Sequence, residues 1–154
     1  MQQLVLLSLL FYGAQMAQPA KDFGFRLERM RCRYERIDSF SGTLSMYHSQ
    51  PLPMILYDEQ RRVIFQAVMS ARFFDLSAPT TSLPSSNDAG WANDAGWELE
   101  VRNDGHVHRV ITGSRYSDED RRTLSKLIDT ILAVVWRTNS QMRDRLSREE
   151  GCVN

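Results

Sequence analysis

Cysteine is scarce in this sequence, and neither sign of charge is in excess. Two cysteines cannot build a disulfide-rich scaffold or a four-cysteine zinc site. The 19 basic and 19 acidic residues cancel, so the net charge gives no reason to expect a nucleic-acid partner or an anionic membrane surface. The sequence also lacks a glycine-rich phosphate loop, a Gly-x-Ser-x-Gly elbow and a His-Glu-x-x-His motif. These absences argue against the common nucleotide-binding and hydrolase classes.

Long apolar runs are absent except at the N-terminus, where residues 4–14 form one. This run is shorter than the roughly 20 residues that a helix needs to span a bilayer. Small residues follow at Ala14, Ala17 and Ala20, which is typical of a secretory signal peptide cleaved near Ala17. We therefore predict that residues 1–20 are a cleaved signal, that the protein is exported to the periplasm or the medium, and that no stable membrane insertion remains after cleavage. A buried N-terminal helix or strand is the alternative.

The rest of the chain has the composition of one globular domain. The sequence has 154 residues, of which 42% are hydrophobic and 25% are charged. We assign residues 21–146 to a single domain and residues 147–154 to a flexible tail.

Two strands are predicted in the first part of this domain. Residues 23–35 alternate in part between apolar and polar, and residues 39–47 suit a second strand after a turn near Asp38. Pro51 and Pro53 close this region, because proline cannot donate a hydrogen bond to a strand ladder. We expect the two strands to pair antiparallel.

Two amphipathic helices are predicted from residues spaced three and four apart. Asp58 is placed to cap the first helix. Ser117 is placed to cap the second, with Asp120 at the capping-box position, and this helix runs to about residue 146. The apolar stripes are Ile64, Ala67, Val68 and Ala71 in the first helix, and Leu124, Leu127, Ile128, Ile131, Leu132, Val135, Met142 and Leu146 in the second.

The segment from Trp97 to Thr112 predicts a β-hairpin, and its register has two alternatives. A two-residue Asp104-Gly105 turn would place Leu99 and Val101 on one face with His108 and Val110. A three-residue loop with a left-handed Gly105 would instead unite Trp97, Leu99, Val101, Val107 and Ile111. We choose the second register because it buries the larger apolar set.

These elements follow in the order strand, strand, helix, strand, strand, helix. Adjacent strands favour antiparallel pairing over βαβ units. The sequence therefore predicts an α+β fold in which two hairpins form a four-stranded antiparallel sheet and both helices pack on one face.

A metal or acid/base site is the first chemical hypothesis. In the chosen register Glu100, His106 and His108 share the outer face of the hairpin, where they could bind zinc or another divalent ion. They could also act in proton transfer, because imidazole titrates near neutrality. A solvated charged face is the alternative.

Arginines crowd the first predicted strand. Arg29, Arg31 and Arg33 would project from one face and could hold an anion. The alternative is the solvent face of an edge strand, where charge discourages aggregation.

The two cysteines could be linked if the protein is exported. Cys32 and Cys152 would then join the first strand to the C-terminal tail. The frayed character of the sequence around Cys152 favours two free thiols instead.

Residues 77–96 read as a long loop with a tandem duplication, and at about 20 residues the loop is either functional or disordered. The motif Asn-Asp-Ala-Gly-Trp occurs twice, and only the second copy leads into the predicted hairpin. Trp91 of the first copy could therefore contact a partner, and a neutral duplication in a tolerant loop is the alternative.

The segments 38–43, 73–74 and 97–101 with the terminal helix resemble small bacterial α+β domains of unknown function that are often exported. The resemblance covers roughly residues 25–140, and the loop at 77–96 departs from it. It brings no catalytic residue or cofactor. We therefore expect an exported, non-enzymatic binding or protein-interaction module whose partner is a protein or a small ligand. The alternatives are a metal-binding protein or metal-dependent enzyme that uses the hairpin, and an inhibitor-like module that uses Trp91.

Overall fold

The computed structural model describes residues 18–29, 35–45, 50–76, 96–112 and 116–141. Within them the chain forms six strands, two α-helices and one short 3₁₀ helix. The strands are β1 (Gly24–Arg29), β2 (Arg36–Asp38), β3 (Thr43–Ser45), β4 (Leu52–Pro53), β5 (Trp97–Asn103) and β6 (His106–Ile111). The helices are α1 (Asp58–Ser70), the 3₁₀ helix (Phe73–Asp75) and α2 (Asp118–Thr138).

The strands form one antiparallel sheet in the order β4-β3-β2-β1-β5-β6. The α+β class with two helices is confirmed, but the prediction of four strands in the order ββαββα is wrong. Residues 23–35 are not one strand, because β1 ends at Arg29 and β2 begins at Arg36. Among the described residues, four strands therefore precede α1.

A turn replaces the start of the second predicted strand. The buried Asp38 carboxylate accepts hydrogen bonds from the backbone N–H groups of Phe40 (3.0 Å) and Ser41 (3.2 Å). Gly42 follows with a φ of 65°, a left-handed conformation that glycine adopts without strain. The chain thus reverses over residues 39–42, and strand pairing resumes only at Thr43.

One face of the sheet forms the core together with both helices. Leu27 of β1 lies opposite Leu99 of β5 on one side and Ile37 of β2 on the other, and all three are buried. The same core contains the buried residues of the helices, namely Ile64, Phe65 and Val68 of α1 and Leu124, Leu127, Ile128, Ile131 and Val135 of α2. The described residues of both predicted helical stripes therefore belong to this core, whereas Met142 and Leu146 lie outside the described residues.

The predicted N-cap is confirmed for α2 but not for α1. Ser117 caps α2 as predicted, since its hydroxyl accepts the backbone N–H of Asp120 at 3.1 Å. The prediction for α1 is wrong by one residue, because Asp58 is the first helical residue and Tyr57 is the cap. The Gln60 side chain accepts the N–H of Tyr57 at 2.9 Å, which satisfies a group that a helix start leaves unpaired.

A buried asparagine marks the end of α2. The Asn139 side chain donates to the carbonyl oxygens of Ile55 (2.9 Å) and Val135 (2.7 Å) and accepts the N–H of Ile55 at 3.0 Å. It therefore closes the helix and ties it to the segment between β4 and α1. The predicted continuation at 142–146 and the predicted tail at 147–154 lie outside the described residues.

In the part of the chain that the structure describes, no helix has both the length and the apolar character needed to cross a membrane.

Candidate functional site

The turn of the β5–β6 hairpin has two residues. Asn103 pairs with His106, and the intervening Asp104 and Gly105 have φ values of 50° and 74°. Positive φ at both turn positions defines a type I′ turn, whose twist matches that of the flanking strands. Our choice of a three-residue loop was wrong, and the alternative register is the one that forms.

A carboxylate from outside the hairpin stabilises this turn. The Asp22 carboxylate accepts the backbone N–H groups of Gly105 at 2.7 Å and Asp104 at 2.8 Å. The hydrogen bond from Gly105, helped by the one from Asp104, lowers the pKa of Asp22 against the opposing effect of desolvation. Because Asp22 is far away in sequence, these bonds could not be predicted from the sequence of the hairpin.

The observed register separates the predicted metal ligands. His106 and His108 lie on the core side of the hairpin with Val101 and Val110, whereas Glu100 lies on the opposite face. Among the described residues, no group of three or more His, Cys, Asp or Glu side chains could hold a metal ion. The predicted set of Glu100, His106 and His108 is therefore not brought together.

The other predicted site residues are only partly described. Arg29 lies 3.5 Å from the Glu35 carboxylate, and its guanidinium stands 5.7 Å from the ring centre of Trp97. Arg31, Arg33, Trp91, Cys32 and Cys152 lie outside the described residues, as does almost all of the predicted loop. The anion site, the partner contact and the disulfide stay predictions.

The outer face of the sheet carries paired charges of both signs. Arg26 contacts Asp38 (3.1 Å) and Glu100 (3.9 Å) across neighbouring strands, and Arg109 contacts Glu98 at 2.6 Å. The hydrogen bond to Glu98 raises the pKa of Arg109. Because these groups neutralise one another, we do not place a charged-ligand site on this face.

Phe40 also packs on the outer face of the sheet. Its ring lies over Gly24 and near two guanidinium groups, with Arg102 at 4.8 Å and Arg26 at 5.8 Å from the ring centre. Such cation–π contacts stabilise by about 0.5–1 kcal/mol at exposed sites.

The two edges of the sheet differ in their capacity to accept another strand. The β4 edge has two residues and ends in Pro53, which lacks an N–H group. The β6 edge has six residues and contains no proline, so all of its backbone N–H groups are present. Among the described strands only β5 pairs with β6, so no described strand covers the other side of β6, which we call its open side.

The hydrogen-bond pattern shows which backbone groups of β6 point away from β5. The N–H of Thr112 donates to the carbonyl of Trp97 at 2.8 Å, which makes these two residues a hydrogen-bonded pair. Hydrogen-bonded and non-bonded pairs alternate in an antiparallel ladder, so Val110 and His108 also bond to β5. The backbone groups that point away from β5 are those of Val107, Arg109 and Ile111.

A pocket of about 430 Å³ lies beside the open edge. It is bounded by the end of α1, the 3₁₀ helix and the hairpin tip, and its lining residues are Met69, Phe74, Asn103, Asp104, His106, Val107 and His108. We call this pocket together with the open side of β6 the edge groove. Met69 is 47% exposed and Val107 is 54% exposed, so the groove presents apolar surface to solvent.

His108 forms the inner wall of the edge groove. Its ring packs edge-to-face against Phe73, with centroids 5.2 Å apart, and lies 6.3 Å from Phe74. Its Nε2 atom is buried and has no hydrogen-bond partner in the described part of the chain. The sequence did not predict this groove, although Phe73 and Phe74 after the helix were a sign that aromatic side chains gather there.

A second pocket of about 380 Å³ lies near the N-terminus of β1. Phe23, Phe40, Met54 and Leu56 line it, with Lys21 and Arg61 among its polar residues. Arg61 is already engaged, because it donates to the carbonyl of Phe23 at 2.7 Å.

No known family model, curated protein or solved structure matches this chain. The comparisons therefore transfer no activity and no site residue, and the resemblance to exported bacterial domains stays a prediction. The function has to be argued from the geometry of the edge groove.

Proposed function

We propose that this protein is a non-enzymatic binding module that takes up an extended segment of a partner protein as an additional strand along β6. The observation that carries the proposal is the open edge of β6, with three residues whose N–H and C=O groups face away from β5 and with a pocket beside them. A binding role also agrees with the outer face, where Arg26 pairs with Asp38 and Arg109 pairs with Glu98, so that these charged side chains are engaged with one another.

The edge and the pocket supply different parts of recognition. Backbone hydrogen bonds to Val107, Arg109 and Ile111 would give affinity for any extended segment. Side chains of an added strand alternate between the two sheet faces, so every second one falls on the side of the pocket. Met69 and Phe74 would accept an apolar side chain there.

The outer face restricts the partner further. Val107 and Ile111 flank Arg109 on that face, and the Arg109 side chain is 57% exposed even though it contacts Glu98. Opposite charges and apolar pairs are favoured across neighbouring strands. Because Arg109 is already paired with Glu98, we expect the bound segment to be selected mainly by apolar residues beside Val107 and Ile111.

The test removes one backbone donor without disturbing the hairpin. Arg109→Pro deletes an N–H that makes no bond to β5, and proline is tolerated on an edge strand when that N–H faces solvent. Arg109→Thr is the matched control, because it also removes the guanidinium but keeps the N–H. Random peptides displayed on phage are selected against the wild-type protein, and their affinities are measured for both variants.

We expect Arg109→Thr to keep most of the affinity and Arg109→Pro to lose about tenfold or more, since one backbone hydrogen bond and the fit of the added strand are lost. Circular dichroism should show the same fold in both variants. Equal binding by the two variants, or a selection that yields no binding peptide, would overturn the proposal.

We also propose that the protein acts outside the cytoplasm, on the basis of the apolar run at residues 4–14. The intact mass of protein recovered from the periplasm or medium of an expressing bacterium tests this. Loss of residues 1–17 or a nearby cut supports export, and a full-length chain confined to the cytoplasm contradicts it.

A further inference from the structure

We propose that Met69, His106 and His108 form a binding site for a soft monovalent metal ion, Cu(I), in the pocket of the edge groove. All three side chains come from residues that line the same pocket of about 430 Å³. Met69 is supplied by α1 and the two histidines by β6, so the site exists only in the folded chain.

The register of the hairpin brings the two imidazoles to one side. Residues two apart on a strand share a face, and their Cα atoms are about 7 Å apart. Two imidazoles at that spacing can bind one metal ion between them, and imidazole is a common ligand for copper and zinc. The two-residue turn is what directs both rings into the pocket rather than to the outer face.

His108 is held in place without a polar partner. Its ring is fixed by Phe73 and Phe74, and its buried Nε2 lacks a hydrogen bond from the described residues. The contacts with Phe73 and Phe74 therefore hold the imidazole in place beside the pocket before any ligand binds.

The third ligand decides which metal is favoured. Asp104 also lines the pocket, but no group of three or more His, Cys, Asp or Glu side chains among the described residues could hold a metal ion, and Glu100 lies on the other face. The thioether of Met69 borders the pocket and is 47% exposed. Thioether sulfur is a soft ligand that selects Cu(I), whereas carboxylate oxygen suits harder ions.

The site is separable from the proposed binding of a strand. Met69→Leu keeps an apolar side chain of similar volume, so an apolar residue of a partner should still fit. The same change removes the sulfur. Arg109→Pro should weaken the binding of a strand but not of the metal ion, because it changes the open edge and leaves the three ligands unchanged.

The first experiment is an anaerobic titration with Cu(I) in competition with bicinchoninate. It uses the full chain with Cys32→Ser and Cys152→Ser, because thiolates would otherwise compete for the metal. We expect one equivalent of Cu(I) to bind. Met69→Leu and His106→Ala should each weaken it by about tenfold or more, on the scale seen when metal sites are altered. Zn(II) binding by Met69→Leu should equal that of the parent protein.

His106→Ala is chosen because His106 is exposed, whereas removal of His108 could disturb the packing against Phe73. The second experiment follows methionine methyl groups labelled with carbon-13 by NMR during addition of Ag(I), a stable substitute for Cu(I). A shift of the Met69 methyl signal at one equivalent supports the site. Failure to hold Cu(I) against bicinchoninate, unchanged Cu(I) affinity in Met69→Leu, or an unshifted Met69 signal would each overturn it.

Discussion

Replacing Gly24 by alanine tests how the outer face of the sheet is packed. A Cβ atom at this position would lie 2.6 Å from Cε1 and 2.7 Å from Cδ1 of Phe40, and 3.1 Å from Oγ of Ser39. Contacts below 3.0 Å require the ring to move. The Phe40 ring is held by its cation–π contacts with Arg102 and Arg26, so moving it is unfavourable.

Two opposing effects set the size of the change. Overpacking typically destabilises by about 1–3 kcal/mol. Alanine in place of glycine stabilises by about 0.4–1 kcal/mol where the backbone allows it, because the unfolded chain loses freedom. Gly24 lies in a regular strand, so the backbone allows it. We expect Gly24→Ala to lower the free energy of unfolding by roughly 1 kcal/mol in the wild-type protein.

The effect of Gly24→Ala on stability should change sign when the Phe40 ring is removed. In a Phe40→Ala background the short contacts at 2.6 and 2.7 Å disappear, and Gly24→Ala becomes neutral or stabilises by up to about 0.5 kcal/mol. Urea unfolding of the four proteins, with a constant slope, gives the coupling energy between the two positions. Equal destabilisation by Gly24→Ala in both backgrounds would refute the reasoning.

Two further changes test buried polar groups. Burial would raise the pKa of Asp38, but the hydrogen bonds from Ser41 and Arg26 outweigh it, so the pKa of the folded state is lowered. A lowered pKa contributes stability above the unfolded pKa that is lost as the pH falls through the folded pKa. Asp38→Asn should therefore be less stable than the wild type at pH 7, and it should lose less stability as the pH falls below about 4. Urea unfolding at a series of pH values measures this. Parallel curves of unfolding free energy against pH for the two proteins would contradict it. Asn139→Ala leaves both backbone groups of Ile55 unpaired and should cost about 1–3 kcal/mol, with faster amide exchange at Ile55; unchanged exchange there would show that the bond is unimportant.

The helices were predictable because their signals are local. Ser117 caps the helix that begins one residue later, and the spacing of Leu124, Leu127, Ile128 and Ile131 places them all in the core. The hairpin was predictable for the same reason, since Asp104-Gly105 is a strong turn signal. Its register was not, because counting apolar residues ignored the bonds from Asp22 to the turn.

The pairing of β1 with β5 could not be predicted from the sequence. Leu27 lies opposite Leu99, and nothing near either residue indicates a partner so distant along the chain. The edge groove depends on that pairing, because β5 lies between β1 and β6 and thereby leaves β6 at the edge of the sheet. The environment of His108 could not be predicted either, since Phe73 and Phe74 contact it only through the packing of α1.

The central position of β1 also has a consequence during synthesis. The ribosome makes β1 first, and β2 can pair with one side of it at once. The other side must wait for β5, whose pairing residues follow about 70 positions later. At about 5–20 residues per second this delay is on the order of several seconds. The growing chain therefore exposes an open strand edge in the middle of its future sheet, which makes it a substrate for chaperones and for wrong strand pairing before it is complete.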